Sequence, residues 1–207
     1  MTRHDDFRRQ TMTNLQEHQV LMVDGHFDYG NGYHGRVYLN PHRIFRHPSL
    51  IWRITQDVID ILPEQIVGTT EVVAGPVMGG ALFAHTLAGL LDARRSLSHP
   101  PCSFAPLSLG GDGASLTLRS FYKTVVSGKR VLLADDVRNT GKTFERGHTL
   151  IEEAGGDVIA TVEICDRLEA IVDLGVPNFA LTEYRAPENY PAAECPMCRA
   201  GQPIATF

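Results

Sequence analysis

The sequence predicts an α/β fold in which a mostly parallel sheet is flanked by helices. Three observations carry this. Short apolar runs alternate with longer stretches whose apolar residues recur at helical spacing, the pattern of strands joined by crossover helices. The runs EVVAG (71–75) and RVLLAD (130–135) have apolar centres with no polar alternation, as strands buried on both faces must have. Each is followed by a glycine-bearing turn, at 75–80 and at 137–143, that opens a helix.

Residues 5–22 read as a first helix with Phe7, Leu15 and Met22 on its apolar stripe. HFDYGNGYHGRVYLNP (26–41) mixes aromatic residues with glycines and reads as short strands and turns. His18, His26, His34 and His42 recur every eight residues. That spacing crosses helix, turn and strand, so it reads as coincidence rather than as a metal array. HPSLIWRITQDVIDILP (47–63) is the clearest helix, with Pro48 in its first turn and Leu50, Ile51, Ile54, Val58, Ile61 and Leu62 at helical spacing.

After the strand at 71–75, GGALFAHTLAGLLD (79–92) reads as a buried helix. CSFAPLSL (102–109) and SLTLRSF (115–121) read as strands around a GGDG turn at 110–113. The strand at 130–135 leads into a helix over 140–156, with Glu145, Glu152 and Glu153 on its solvated face. DVIATVEIC (157–165) and ALTEY (180–184) complete the strands, and the tail beyond reads as irregular.

At 207 residues the chain suits one domain, and 43% hydrophobic with 21% charged residues is ordinary for a globular protein. A net charge of −5 argues against a broad nucleic-acid footprint, so no nucleic-acid partner is expected. No apolar run approaches the roughly 20 residues that span a bilayer, and MTRHDDFRRQTMTNLQEH has no apolar leader segment. A cytoplasmic location with no membrane partner is the expectation. The cysteines are Cys102, Cys165, Cys195 and Cys198. CPMC (195–198) is half of a zinc ribbon without a second pair, and Cys102 and Cys165 lie in strand-like runs, so no metal ligands are assigned.

Ligands of such sheets bind beyond the carboxyl ends of the strands, where both glycine turns fall. In VLLADDVRNTGKTF (131–144) an acidic pair precedes the turn. A nucleotide-hydrolysing phosphate loop would need glycine at position 136, which is Asp136, and the glycines at 75, 79 and 80 do not fit a dinucleotide fingerprint. Helix capping explains one polar residue and leaves the second aspartate unexplained. A phosphorylated ribose uses every feature. The N–H groups of Arg138, Asn139, Thr140, Gly141, Lys142 and Thr143, with the two threonine hydroxyls, can hold a phosphate at a helix N-terminus. Asp135 and Asp136 can then accept hydrogen bonds from the ribose hydroxyls.

VLLADDVRNTGKTF resembles the signature of type I phosphoribosyltransferases, with Asn139 in place of the usual threonine. The resemblance covers nearly the whole chain and implies a single domain, 1–207. Its core would be 46–184, and its hood about 1–45 with the tail 185–207. It implies transfer of ribose 5-phosphate from 5-phosphoribosyl 1-pyrophosphate (PRPP) to a nitrogenous base, with Mg²⁺ bound through the pyrophosphate. The loop Gly75, Val77, Met78, Gly79 and Gly80 would hold pyrophosphate through backbone groups. Arg119 and Lys123, in a segment resembling the mobile loop, would close over it.

GHFDYGNGYHGRVYLN looks like the hood of orotate phosphoribosyltransferases, and CDRL (165–168) matches their late Asp-Arg, which places Arg167 against the orotate carboxylate. ECPMCRAGQPI resembles the ending of one orotate phosphoribosyltransferase-like subgroup. A hood lysine common in that group has its matching spot near Gly30, and His34 and Arg36 belong to the same glycine-rich stretch. The implied activity is orotate to orotidine 5'-monophosphate, carried out by a homodimer. A transferase for a purine or uracil, or a PRPP- or nucleotide-sensing regulator on the same fold, are the alternatives.

Overall fold

A computed structural model describes residues 3–29, 32–96, 98–111, 115–168, 172–185 and 189–205. Helix α1 (Arg3–Glu17) leads into four short strands: β1 (Leu21–Met22), β2 (Phe27–Asp28), β3 (Tyr33–Gly35) and β4 (Tyr38–Leu39). Helices α2 (Pro48–Ile61) and α3 (Glu64–Thr69) follow a 3₁₀ turn over Pro41–Arg46. The core then alternates: β5 (Val72–Pro76), α4 (Gly79–Arg94), β6 (Ser103–Leu109), β7 (Leu116–Thr117), α5 (Ser120–Val126), β8 (Arg130–Arg138), α6 (Lys142–Glu153), β9 (Asp157–Asp166) and β10 (Asn178–Glu183). Strand β11 (Tyr190–Pro191), a 3₁₀ turn and α7 (Pro196–Arg199) form the tail.

The central sheet has the order β10-β9-β8-β5-β6-β7, parallel except at the antiparallel β6–β7 edge. Side-chain alternation divides its core between two faces. Leu132 and Ala134 of β8 pack with Ile51 and Ile54 of α2 and Phe83 and Leu87 of α4. Val131 and Leu133 pack with Val126 of α5 and Phe144 and Ile151 of α6. Each of the larger side chains among them, fully withdrawn from water, contributes about 1.5–3 kcal/mol. These buried faces fix β5 and β8 side by side, and their turns therefore open on one edge.

Several expectations are corrected. The first helix stops at Glu17, because Gln19 turns into the left-handed region (φ 54°). Met22 lies instead in β1, paired with Tyr38 of β4. SLTLRSF is a strand only at Leu116–Thr117, and α5 begins at Ser120. Leu118 and Val126 both enter the core beside Phe144, and burying both takes the chain off the sheet edge. The last two residues of the GGDG turn, and the hood position near Gly30, lie outside the described residues.

The tail is not irregular. β11 pairs with β3, and β3 with β2, so tail and hood share a three-stranded sheet. The histidine period is also more than coincidence for two of its members: His26 Nε2 and His34 Nδ1 stand 3.0 Å apart.

Candidate active site

From β5 the chain crosses to β6 on one side and returns to β8 on the other, so the strand order reverses between β5 and β8. Such a reversal leaves a crevice at the carboxyl ends of the two strands. Asp135 and Asp136 occupy it at the end of β8, and the Gly75–Gly80 turn faces them from β5. The glycines are there because of contact. A Cβ at Gly75 would lie 2.5 Å from the carbonyl oxygen of Gly80 and 2.7 Å from that of Ala134. At Gly80 it would lie 2.5 Å from Asp135 Oδ1, and at Gly79 it would overlap the Asp136 carboxylate. The Asp136 N–H also donates to Asp135 Oδ1 (2.9 Å), which fixes the first carboxylate.

A cleft of about 260 Å³ opens above this contact, lined by residues 76–80 of the turn, both aspartates, Thr143, and also His42 and Arg146. Burial, and then the neighbouring charge of Asp136, holds the Asp135 carboxyl well above the ordinary carboxylate range. Burial raises Asp136 to about 6, against the opposing pull of the His42 charge. Glu163 stands opposite Asp135 on β9, and burial pushes it to about 8 although Asn178 Nδ2 donates to it (2.8 Å). Desolvated carboxyls with raised pKa values in a cleft are prepared to meet hydroxyl donors or a cation.

The second half of the site is a hollow of about 90 Å³ lined by Asp135 and residues 137–144. Gly141 caps α6 at φ 82°, a conformation natural to glycine, and contributes no side-chain cap. The first N–H groups of α6 are thus oriented to receive an anion. The loop is braced from behind. Thr140 accepts a hydrogen bond from the Val172 N–H (3.0 Å), and Arg138 Nη2 donates to the Val172 carbonyl (3.1 Å). The buried Arg138 guanidinium also lies 5.9 Å from the centre of the Phe144 ring.

The structure brings together the glycine turn, the acidic pair and the 138–143 turn. Other expected residues stand apart. Arg119 caps α5 and Lys123 lies in its last turn, both exposed and neither lining the cleft. Arg167 follows β9, its N–H donating to the Arg138 carbonyl (2.8 Å), with its side chain half-buried near Cys165 and Tyr184. His34 is buried and faces His26, while Arg36 is exposed. Sequence reasoning missed His42 and Arg146 as cleft residues. Arg146 was accessible to it, since it lies three residues after Thr143 on the same face of α6. His42 sits in a 3₁₀ turn that no periodicity announces.

A family model described as a phosphoribosyl transferase domain matches residues 42–174. Orotate phosphoribosyltransferase of Heliobacterium modesticaldum is 30% identical over 182 residues, 88% of each chain. The enzyme of the same name from Erythrobacter litoralis is 30% identical over 166 residues, 80% of each. Among solved structures, orotate phosphoribosyltransferase from Aeropyrum pernix superposes with a TM-score of 0.64 at 19% identity, over 83% of this chain and 92% of that one. Adenine phosphoribosyltransferase from Thermoanaerobacter pseudethanolicus gives 0.61 at 19% identity, over 82% and 99%. Both structural likenesses concern the fold alone.

Proposed function

Because this chain belongs to the phosphoribosyltransferase family, we propose that it transfers ribose 5-phosphate from PRPP to orotate, releasing pyrophosphate and forming orotidine 5'-monophosphate. The observation that carries the reading is the seat of the buried Asp135 and half-buried Asp136 carboxyls against Gly80 and Gly79 across the switch point. Beside it lies an open helix N-terminus for phosphate. The choice of orotate is supported by relatives of that name at 30% identity over most of both chains.

In this reading residues 139–143 hold the 5-phosphate, and Asp135 and Asp136 accept hydrogen bonds from the ribose hydroxyls. Backbone groups of 75–80, including those of Val77 and Met78, receive the pyrophosphate. The C1–O bond breaks and pyrophosphate leaves with the bonding electrons, while a ring nitrogen of the base bonds to C1 and gives up its proton to the departing pyrophosphate. Positive charge builds on the ribose close to the acidic pair, which stabilises it without a protein nucleophile. The carboxylate oxygens of Asp135 and Asp136 suit Mg²⁺, which when bound would neutralise the departing pyrophosphate.

Arg119 and Lys123 lie on the segment assigned to close over the pyrophosphate, in a homodimer whose second copy covers the neighbouring apolar surface. Phe121 between them is 70% exposed, the kind of area a partner removes from water. A cytoplasmic setting accords with four cysteines that form no disulfide. Arg167 supplies the fixed cation for the orotate carboxylate. Incubating the pure protein with PRPP, Mg²⁺ and orotate, uracil or adenine tests the assignment. Pyrophosphate release with orotate is expected. Release with adenine or uracil instead would move the enzyme to another base, and release with none would favour a sensing role.

A further inference from the structure

The hood and tail bring four side chains to one point. His26, His34, Cys195 and Cys198 each direct one donor atom inward, and all four atoms lie within 4.8 Å of one another. Cys195 and Cys198 are one helical turn apart, which sets both sulfurs on one side of α7. His26 and His34 share a face of the β2–β3 hairpin, because His34 stands opposite Asp28 and His26 is two residues further along.

We infer that these four residues bind a structural zinc ion that fastens the hood to the tail. The spacing is close to that of ligands around a tetrahedral centre. With bonds of about 2.3 Å to sulfur and 2.0–2.1 Å to nitrogen, ligand atoms stand roughly 3.3–3.8 Å apart. Here His26 Nε2 lies 3.6 Å from each sulfur, Cys198 Sγ lies 3.3 Å from His34 Nδ1, and the two nitrogens are 3.0 Å apart. The outer nitrogens are placed to match. His26 Nδ1 lies 2.8 Å from the Gln202 carbonyl, an acceptor only, so it carries the proton and leaves Nε2 bare toward the cluster. His34 Nε2 lies 3.8 Å from the Asp28 carboxylate. Carbonyl and carboxylate partners of this kind orient metal-ligating histidines.

Four protein ligands close the coordination sphere, so the role is structural rather than catalytic. The strands it joins have only two or three residues each, and so small a unit needs a fastening beyond its apolar contacts. The inference stands whichever base the enzyme uses.

Metal analysis of the full chain purified from zinc-containing medium tests it, together with the absorption of the cobalt-exchanged protein. About one zinc per chain is expected, and the cobalt form should show tetrahedral d–d bands with thiolate charge transfer. Cys198→Ser and His34→Ala should each weaken zinc binding by about 100-fold or more, while Cys102→Ser keeps it. The cobalt spectrum of the unmutated protein decides the matter even where a variant fails to fold. Substoichiometric metal with no thiolate–cobalt bands, undiminished zinc in both ligand variants, or a stoichiometric metal other than zinc would overturn the assignment.

Discussion

Gly80 and Asp135 approach so closely across the gap between β5 and β8 that a Cβ on the glycine would lie 2.5 Å from the carboxylate Oδ1. The two turns of the site are therefore one packed unit. Gly80→Ala should force them apart, with an overpacking cost of about 1–3 kcal/mol. Turnover should fall more than stability does, because the displaced carboxylate is the one proposed to orient the sugar. Paired melting and steady-state assays check this. A variant with normal turnover would mean that the contact is slack.

The raised pKa of Asp136 gives a signed pH dependence. Its folded value of about 6 stands above the ordinary 3.8, so between these values the folded protein holds a proton that the unfolded chain has released. Stability from this group is therefore greatest below the window, declines as pH rises through it, and the cost remains in full above it. Asp136→Asn should flatten that decline and melt no lower than the parent at neutral pH. A variant that melts lower there, with the same slope, would contradict the buried-charge account.

Arg138 braces the phosphate turn from beneath through the Val172 carbonyl and the Phe144 ring. Removing its side chain in Arg138→Ala leaves a carbonyl without its donor and should destabilise the fold by about 1–3 kcal/mol. The KM for PRPP should rise because the turn loosens. Unchanged melting with a raised KM would point to direct contact with phosphate instead.

Arg167→Ala tests the base half of the site. If the orotate carboxylate loses a buried cation, orotate use should weaken by about 2–5 kcal/mol, while PRPP affinity barely changes. The comparison is the rate with orotate beside direct PRPP binding by calorimetry. Equal orotate rates in variant and parent would remove Arg167 from the pocket.

The core was legible because its signals are local. The apolar centres of 72–76 and 130–138, and the helical spacing of Ile51, Ile54 and Val58, each report burial in a single segment. The acidic pair and the 139–143 turn were legible for the same reason, being contiguous. What the sequence hid is convergence. His26, His34, Cys195 and Cys198 meet only after the tail adds β11 to the hood, a pairing across more than 150 residues that no periodicity encodes. SLTLRSF misled through its alternation, which tertiary burial of Leu118 and Val126 overrode.

The central claim is that the carboxyls of Asp135 and Asp136 serve the transfer reaction rather than the fold. The most direct test is the steady-state rate of orotate-dependent pyrophosphate release in Asp135→Asn and Asp136→Asn, beside their melting temperatures. Both variants should keep a cooperative melt close to that of the parent and lose about 100-fold or more in turnover, as expected when charge facing a developing cation is removed. Variants that melt early yet turn over at the parental rate would make the pair structural and contradict the account.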